Sequence, residues 1–318
     1  MAAVASSWPA GFTLTGGIPL KGQDLAASVL FIVAFALLVP LAVLRWVRPA
    51  TRTWTLLRPS IILLVRIVTY IIRAIEANGN YSEGLFIAEQ VLLLAGLIPL
   101  LEPLAVLLRA HVMRNWTPEP PSREDGEHKK VSLLNRGLRI IQLTVFVALI
   151  LGIVAGAKAG KAATDPSAVS DISTYRYATI GLSLGILGLT MLIACAVHVR
   201  EGLPAKGTLF ILAVAILLVI PNIYKLVTAL HHPAMTSAGT KAGFYALSAL
   251  PELLVVDAYF CPNLNEWFGL KEASWKDKVE KRMRKGEWPE GLGYVSQEEY
   301  EGMGAGGIEM SATRDSKV

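Results

Sequence analysis

The sequence predicts an all-α fold: an integral membrane bundle of seven transmembrane helices, with the N-terminus outside and the C-terminus cytoplasmic. Two observations predict it. Seven apolar stretches divide a 318-residue chain that is 53% hydrophobic, and a helix needs on the order of 20 residues to cross the hydrocarbon core. Lysine and arginine also fall mostly in alternate connections, the asymmetry that orients spans in a bilayer.

In order, the stretches run over 25–44, 57–77, 85–108, 138–157, 177–198, 207–229 and 242–260. Residues 1–24 form a short extracellular segment. Met1 to Gly17 has no charged n-region, so no cleavable signal is expected there. The first connection holds Arg45, Arg48 and Arg52. The third holds Arg109, Arg114, Arg123, Lys129, Lys130 and Arg136, and the fifth Arg200 and Lys206. Across the membrane, the second connection lacks basic residues and the sixth has Lys241. The fourth carries Lys158, Lys161 and Arg176, partly offset by Asp165 and Asp171. An odd number of spans then leaves the tail, 263–318, in the cytoplasm.

The polar segments are small. Pro118 to Lys130 is proline-rich and charged, and reads as a flexible cytoplasmic loop. Within 271–285, Trp275, Val279 and Met283 recur at helical spacing against Lys276, Lys278, Lys281, Arg282 and Lys285. Such a basic amphipathic helix fits the anionic lipids of the inner leaflet. The end of the chain, from Gly302, is glycine- and serine-rich and is expected to be disordered. Asn80-Tyr81-Ser82 is a glycosylation sequon, expected to stay unused in so short an outer loop, and Cys261 sits where palmitoylation is chemically possible. Two cysteines support neither a disulfide framework nor a zinc site.

Function has to come from polar groups inside the spans, since a charge there costs roughly 2.5–3.5 kcal/mol unless paired or wetted. Arg66, Tyr70 and Arg73 lie on one stripe of the second span, continued by Glu76. The third span carries Glu89, Gln90 and Glu102, the sixth Asn222, Tyr224 and Lys225, and the seventh Glu252 and Asp257. Alternating directions put Arg73, Glu76, Glu89 and Lys225 in an outer layer, and Arg66 and Glu252 near the midplane. Opposite charges at matched depth then pair Arg73 with Glu89, and Arg66 with Glu252 or Glu102. Such pairs serve either as interhelical bridges or as the lining of a polar cavity. Pro99 and Pro103 flank Glu102, Pro221 precedes Asn222 and Pro251 precedes Glu252, which weakens three spans beside ionisable residues. Gly152–Gly156 and Gly181–Gly185 have the GxxxG spacing of close helix contacts.

Several classes are excluded. Residues 242–260 hold no lysine for a retinal Schiff base, no HxxxH pair provides a metal site, and no Walker loop supports ATP hydrolysis. No nucleophile, cofactor, metal or nucleic-acid partner is expected, and the chain does not read as an enzyme.

With seven N-out spans, the segment Val65-Arg66-Ile67-Val68-Thr69-Tyr70-Ile71-Ile72-Arg73 resembles the fungal RTA-type family of lipid-translocating exporters. The chain is equally similar to an uncharacterised fungal seven-span group labelled only as a domain of unknown function. In the exporter family the sixth span ends in an Arg-x-x-Tyr-Arg-x-x-Glu pattern. Tyr224 fits it, Lys225 replaces the second arginine, and Pro221 and Thr228 occupy the outer positions. Membership implies a plasma-membrane or endomembrane protein tied to tolerance of sphingoid bases or other amphiphiles. The expected function is ATP-independent translocation of an amphiphile, with Arg66, Glu102, Glu252 and Asp257 forming a wet cavity for a cationic headgroup. The alternative is a seven-span sensor signalling through its basic loop and tail.

Overall fold

The computed structural model describes residues 14–113, 126–159 and 165–274. Every regular element among them is helical. The longer helices, in chain order, are α1 (Lys21–Val47), α2 (Leu57–Ala77), α3 (Glu83–Ala95), α4 (Leu101–Met113) and α5 (Gly126–Lys158). They are followed by α6 (Pro166–Glu201), α7 (Ala205–His231), α8 (Ala238–Phe244), α9 (Leu250–Phe260) and α10 (Leu264–Phe268). Seven helical runs are long and apolar enough to span a membrane: Lys21–Val47, Trp54–Ala77, Glu83–Met113, Arg139–Lys158, Ala168–Arg200, Ala205–His231 and Ala238–Phe260. The chain is therefore a multi-pass membrane protein. Its polarity is that of a protein solvated by lipid. Leu37, Leu143, Leu192 and Leu209 face outward, while Asp24, Arg66, Arg73, Glu76 and Glu89 have no exposed surface.

Consecutive spans pack side by side, and α9 returns to α1, so the seven close a ring. The third span is the most enclosed, with 67% of its apolar window buried against 22% for the first. It also touches the fourth, fifth and sixth spans through α3 and α4. Small residues make the closest approach possible. A Cβ on Gly156 of α5 would lie 2.5 Å from Val91 Cα, and one on Gly152 would lie 3.3 Å from Ala95 Cα. Gly181 and Gly185 have no neighbour within 4 Å, so the second GxxxG spacing is not a packing contact.

Two spans are interrupted where prolines remove backbone donors. The third runs as α3, a short 3-10 turn at Ile98–Leu100 containing Pro99, and then α4. The seventh passes from α8 through a π-helical turn, Tyr245–Ala249, into α9, where Pro251 occupies the first turn. The wider turn accommodates the proline, which has no N–H to donate. It also directs Tyr245 and Ser248 into the bundle, both buried. The sixth span, by contrast, continues through Pro221.

Two expected boundaries shift. The helix of the fourth span begins at Gly126, inside the stretch 118–130 read as loop, and α6 begins at Pro166 rather than 177. Asp165-Pro166 is a helix-start signal, with proline at the first helical position. Residues 271–274 are helical, whereas the remainder of the expected amphipathic helix and the glycine-rich end lie outside the described residues.

Candidate functional site

Two groups of charged side chains occupy the bundle interior. The first lies at the Asp24 end. Arg73, on α2, donates from Nη1 to Glu89 Oε1 of α3 at 2.6 Å, and from Nη2 to Asp24 Oδ1 of α1 at 2.6 Å. Its Nη2 also reaches the Gly16 carbonyl at 2.6 Å, and its Nε the Tyr245 hydroxyl at 3.1 Å. The guanidinium stacks over the Phe244 ring, 4.7 Å from its centroid. Lys241 of α8 adds a second cation, with Nζ 3.1 Å from Asp24 Oδ2.

This group also anchors the segment before α1. Lys241 donates to the carbonyls of Gly16 and Ile18, Tyr81 donates to the Pro19 carbonyl, and the Thr15 N–H donates to Gln90 Oε1 at 3.3 Å. Leu14 packs with Ala159, Ala168 and Ile172. Residues 14–19 thus seal that end of the bundle. Gly17 is required there: its φ is +65°, and a Cβ would meet the Met235 carbonyl at 2.3 Å.

The second group sits beside the break in the third span. Arg66 pairs with Glu252 of α9 at 2.5 Å, and its Nη1 donates to the Leu92 carbonyl at 3.0 Å. Lys225 of α7 donates to the Leu93 carbonyl at 3.0 Å. Both cations therefore cap carbonyls at the end of α3, where the helical ladder stops and lipid provides no donor. Gly96 leaves room for this, since a Cβ there would lie 3.1 Å from Arg66 Cζ.

Next to Lys225 the interior opens into a cavity of about 20 Å³, enough for a water molecule. Its polar lining is Arg176, Thr179 and Ser183 on one stripe of α6, with Asn222 and Lys225 on α7; the apolar wall comes from Leu94, Leu97 and Ile98. Among the described residues no carboxylate lines it. The Thr179 and Ser183 hydroxyls are buried and have no hydrogen-bond partner, and the Lys225 ammonium, with three protons to donate, has one acceptor in the Leu93 carbonyl. The site therefore offers positive charge and hydroxyls to a group that accepts hydrogen bonds.

The residues singled out from sequence are distributed over these layers. Arg73 meets Glu89, and Arg66 meets Glu252. Tyr70 is buried and stacks on Phe31 and Phe35, with centroids 5.3 and 5.9 Å away. Asn222 lines the cavity and donates to the Leu218 carbonyl at 2.8 Å. Lys225 lines the cavity and does not join the charges at the Asp24 end. Arg66, Glu102, Glu252 and Asp257 do not share one cavity. Glu102 is paired with Arg58, and Asp257 accepts from Cys261 Sγ at 3.2 Å. That hydrogen bond, with burial, pushes the Cys261 thiol above its usual range, which disfavours the reactive thiolate.

Three residues escaped the sequence reading: Asp24, Lys241 and Arg176. The first two are one residue outside the apolar stretches as drawn, and Arg176 was assigned to a loop by its charge. The proline start of α6 was the available signal for Arg176. Among the described residues no cluster of histidine, cysteine, aspartate or glutamate has the makings of a metal site. No curated protein and no solved structure matches the chain. A family model described as a domain of unknown function, DUF7702, matches residues 20–264, and the match is not to the RTA-type exporters. That match covers more than three quarters of the sequence, and the chain belongs to the DUF7702 family.

Proposed function

We propose that the protein is an ATP-independent translocator of an amphiphile, and that the cavity between α3, α5, α6 and α7 receives its polar group. The observation that carries this reading is the lining: Arg176 and Lys225, the unpartnered hydroxyls of Thr179 and Ser183, and no carboxylate. The chemistry selects an anionic or strongly accepting headgroup, the opposite sign from the one expected on sequence. At about 20 Å³ the cavity has room for a water molecule and not for a headgroup. Admission of a headgroup requires α3 and α4 to separate at their break, which is the use transporters make of discontinuous helices. The resemblance of the arginine-rich second span to lipid-translocating exporters supports the same class. An N-out orientation in a fungal plasma membrane or endomembrane, with the basic tail on anionic lipid, completes the reading.

The test is movement of fluorescent long-chain amphiphiles across reconstituted vesicles, with an anionic and a cationic headgroup compared. The anionic probe is expected to move, and Lys225→Gln to slow it at least tenfold. Movement of the cationic probe alone would reverse the proposed selectivity. Saturable binding without movement would assign the chain to the seven-span sensors instead.

A further inference from the structure

Among the described residues, the layer at the Asp24 end has one carboxylate too many. Asp24, Glu76 and Glu89 carry three negative charges, Arg73 and Lys241 two positive ones, and all five side chains are buried. Arg73 takes Asp24 and Glu89, and Lys241 takes Asp24. Glu76 lies one turn beyond Arg73 on the same stripe of α2, has no exposed surface, and neither of its carboxylate oxygens has a hydrogen-bond donor. The group that faces it is the carboxylate of Glu89, itself an acceptor. Two acceptors in contact are satisfied only when a proton lies between them. The other titratable groups around the site are Asp24 on α1, Arg73 on α2, Tyr81 before α3, Lys241 on α8, and Tyr245 in the π-helical turn.

We propose that Glu76 and Glu89 form a proton-binding site, sharing one proton that neutralises the buried layer holding residues 14–19 over the bundle end. The proton is taken from water and bound at the carboxylate oxygens; no other bond changes. Loss of the proton leaves two like charges face to face without solvent. The shared proton therefore stabilises the closed end, and its removal destabilises that end. The inference is independent of the cavity and of what it carries.

The test uses the full chain in lipid nanodiscs. Infrared spectra at neutral pH are expected to show a protonated-carboxyl carbonyl band that Glu76→Gln removes. Because glutamine mimics the protonated acid, that variant is expected to fold and to melt at or above the wild-type temperature. Wild-type melting is expected to fall by a few degrees between about pH 6 and about pH 10, and the fall to vanish in Glu76→Gln. A carboxyl band unchanged in the variant, or a variant that does not fold while Glu89→Gln does, would overturn the proposal. So would a rise in wild-type melting temperature on adding sodium or calcium chloride at alkaline pH that Glu76→Gln abolishes, which would make this a metal-cation site.

Discussion

At the Asp24 end a guanidinium with no exposed surface is ringed by two carboxylates, a tyrosine hydroxyl and a backbone carbonyl. Beside the break in the third span, Lys225 and Arg176 line a cavity that no carboxylate enters. The same cost governs both places, because charge withdrawn from water has to be compensated. At the Asp24 end Arg73 and Lys241 are held by Asp24 and Glu89, and these pairs specify how α1, α2, α3 and α8 fit together, with Glu76 left over. The other place keeps the buried hydroxyls of Thr179 and Ser183 without hydrogen-bond partners beside a small cavity, and the proposed function rests on that difference.

The contrast breaks first at Arg73. Arg73→Met strands Glu89 in the interior, leaves Asp24 with Lys241 as its one cation, and is expected to cost about 3–5 kcal/mol, read as thermal unfolding in detergent. A loss below about 1 kcal/mol would show that the layer at the Asp24 end does not clamp the fold. Arg66→Glu is expected to lose folded protein by a similar mechanism, about 3 kcal/mol. Adding Glu252→Arg should recover more than half of the yield, and no recovery would remove their pairing as the reason. Packing is tested by Gly156→Leu, which drives a side chain into the backbone of α3 at a cost of about 1–3 kcal/mol. Gly185→Leu should change stability by less than about 0.5 kcal/mol.

Cavity substitutions sharpen the comparison from the other side. Thr179→Val with Ser183→Ala is expected to leave melting within about 1 kcal/mol of wild type. The same pair should weaken binding of an anionic amphiphile about tenfold, near 1.4 kcal/mol. Equal losses in both measurements would make the hydroxyls structural. The smallest effect concerns Cys261, whose thiol is raised chiefly by the Asp257 hydrogen bond. Asp257→Asn should lower it and speed maleimide labelling at neutral pH by a few-fold, because a larger thiolate fraction reacts. Unchanged labelling would mean that access limits the rate.

The seven spans were legible because length and apolarity are local properties of the chain. So was the Arg73–Glu89 pair, since neighbouring antiparallel helices bring matched depths together, whereas for Arg66 the sequence left Glu252 and Glu102 open and the structure selects Glu252. Asp24, Lys241 and Arg176 were not. Hydropathy ended these spans at a charged residue, whereas the structure buries Asp24 and Lys241 in the first turns of their helices and Arg176 well inside a helix that starts at Pro166. The sign of the cavity was illegible for a related reason. Glu252 and Glu102 are spoken for by Arg66 and Arg58, and partner choice among several carboxylates depends on rotation about each helix axis.

The seal formed by residues 14–19 has a consequence for biogenesis. Gly16 and Ile18 are held by Lys241, which follows Gly16 by 225 residues. Those residues leave the ribosome long before their partner does. Until the seventh helix enters the membrane, Asp24 has Arg73 but lacks Lys241, and the Arg73 guanidinium lacks the Phe244 face. The first described stretch of the chain is thus the last to be fastened. Truncation anywhere before Lys241 leaves an unlatched bundle, in which quality-control machinery would meet exposed charge at the membrane surface.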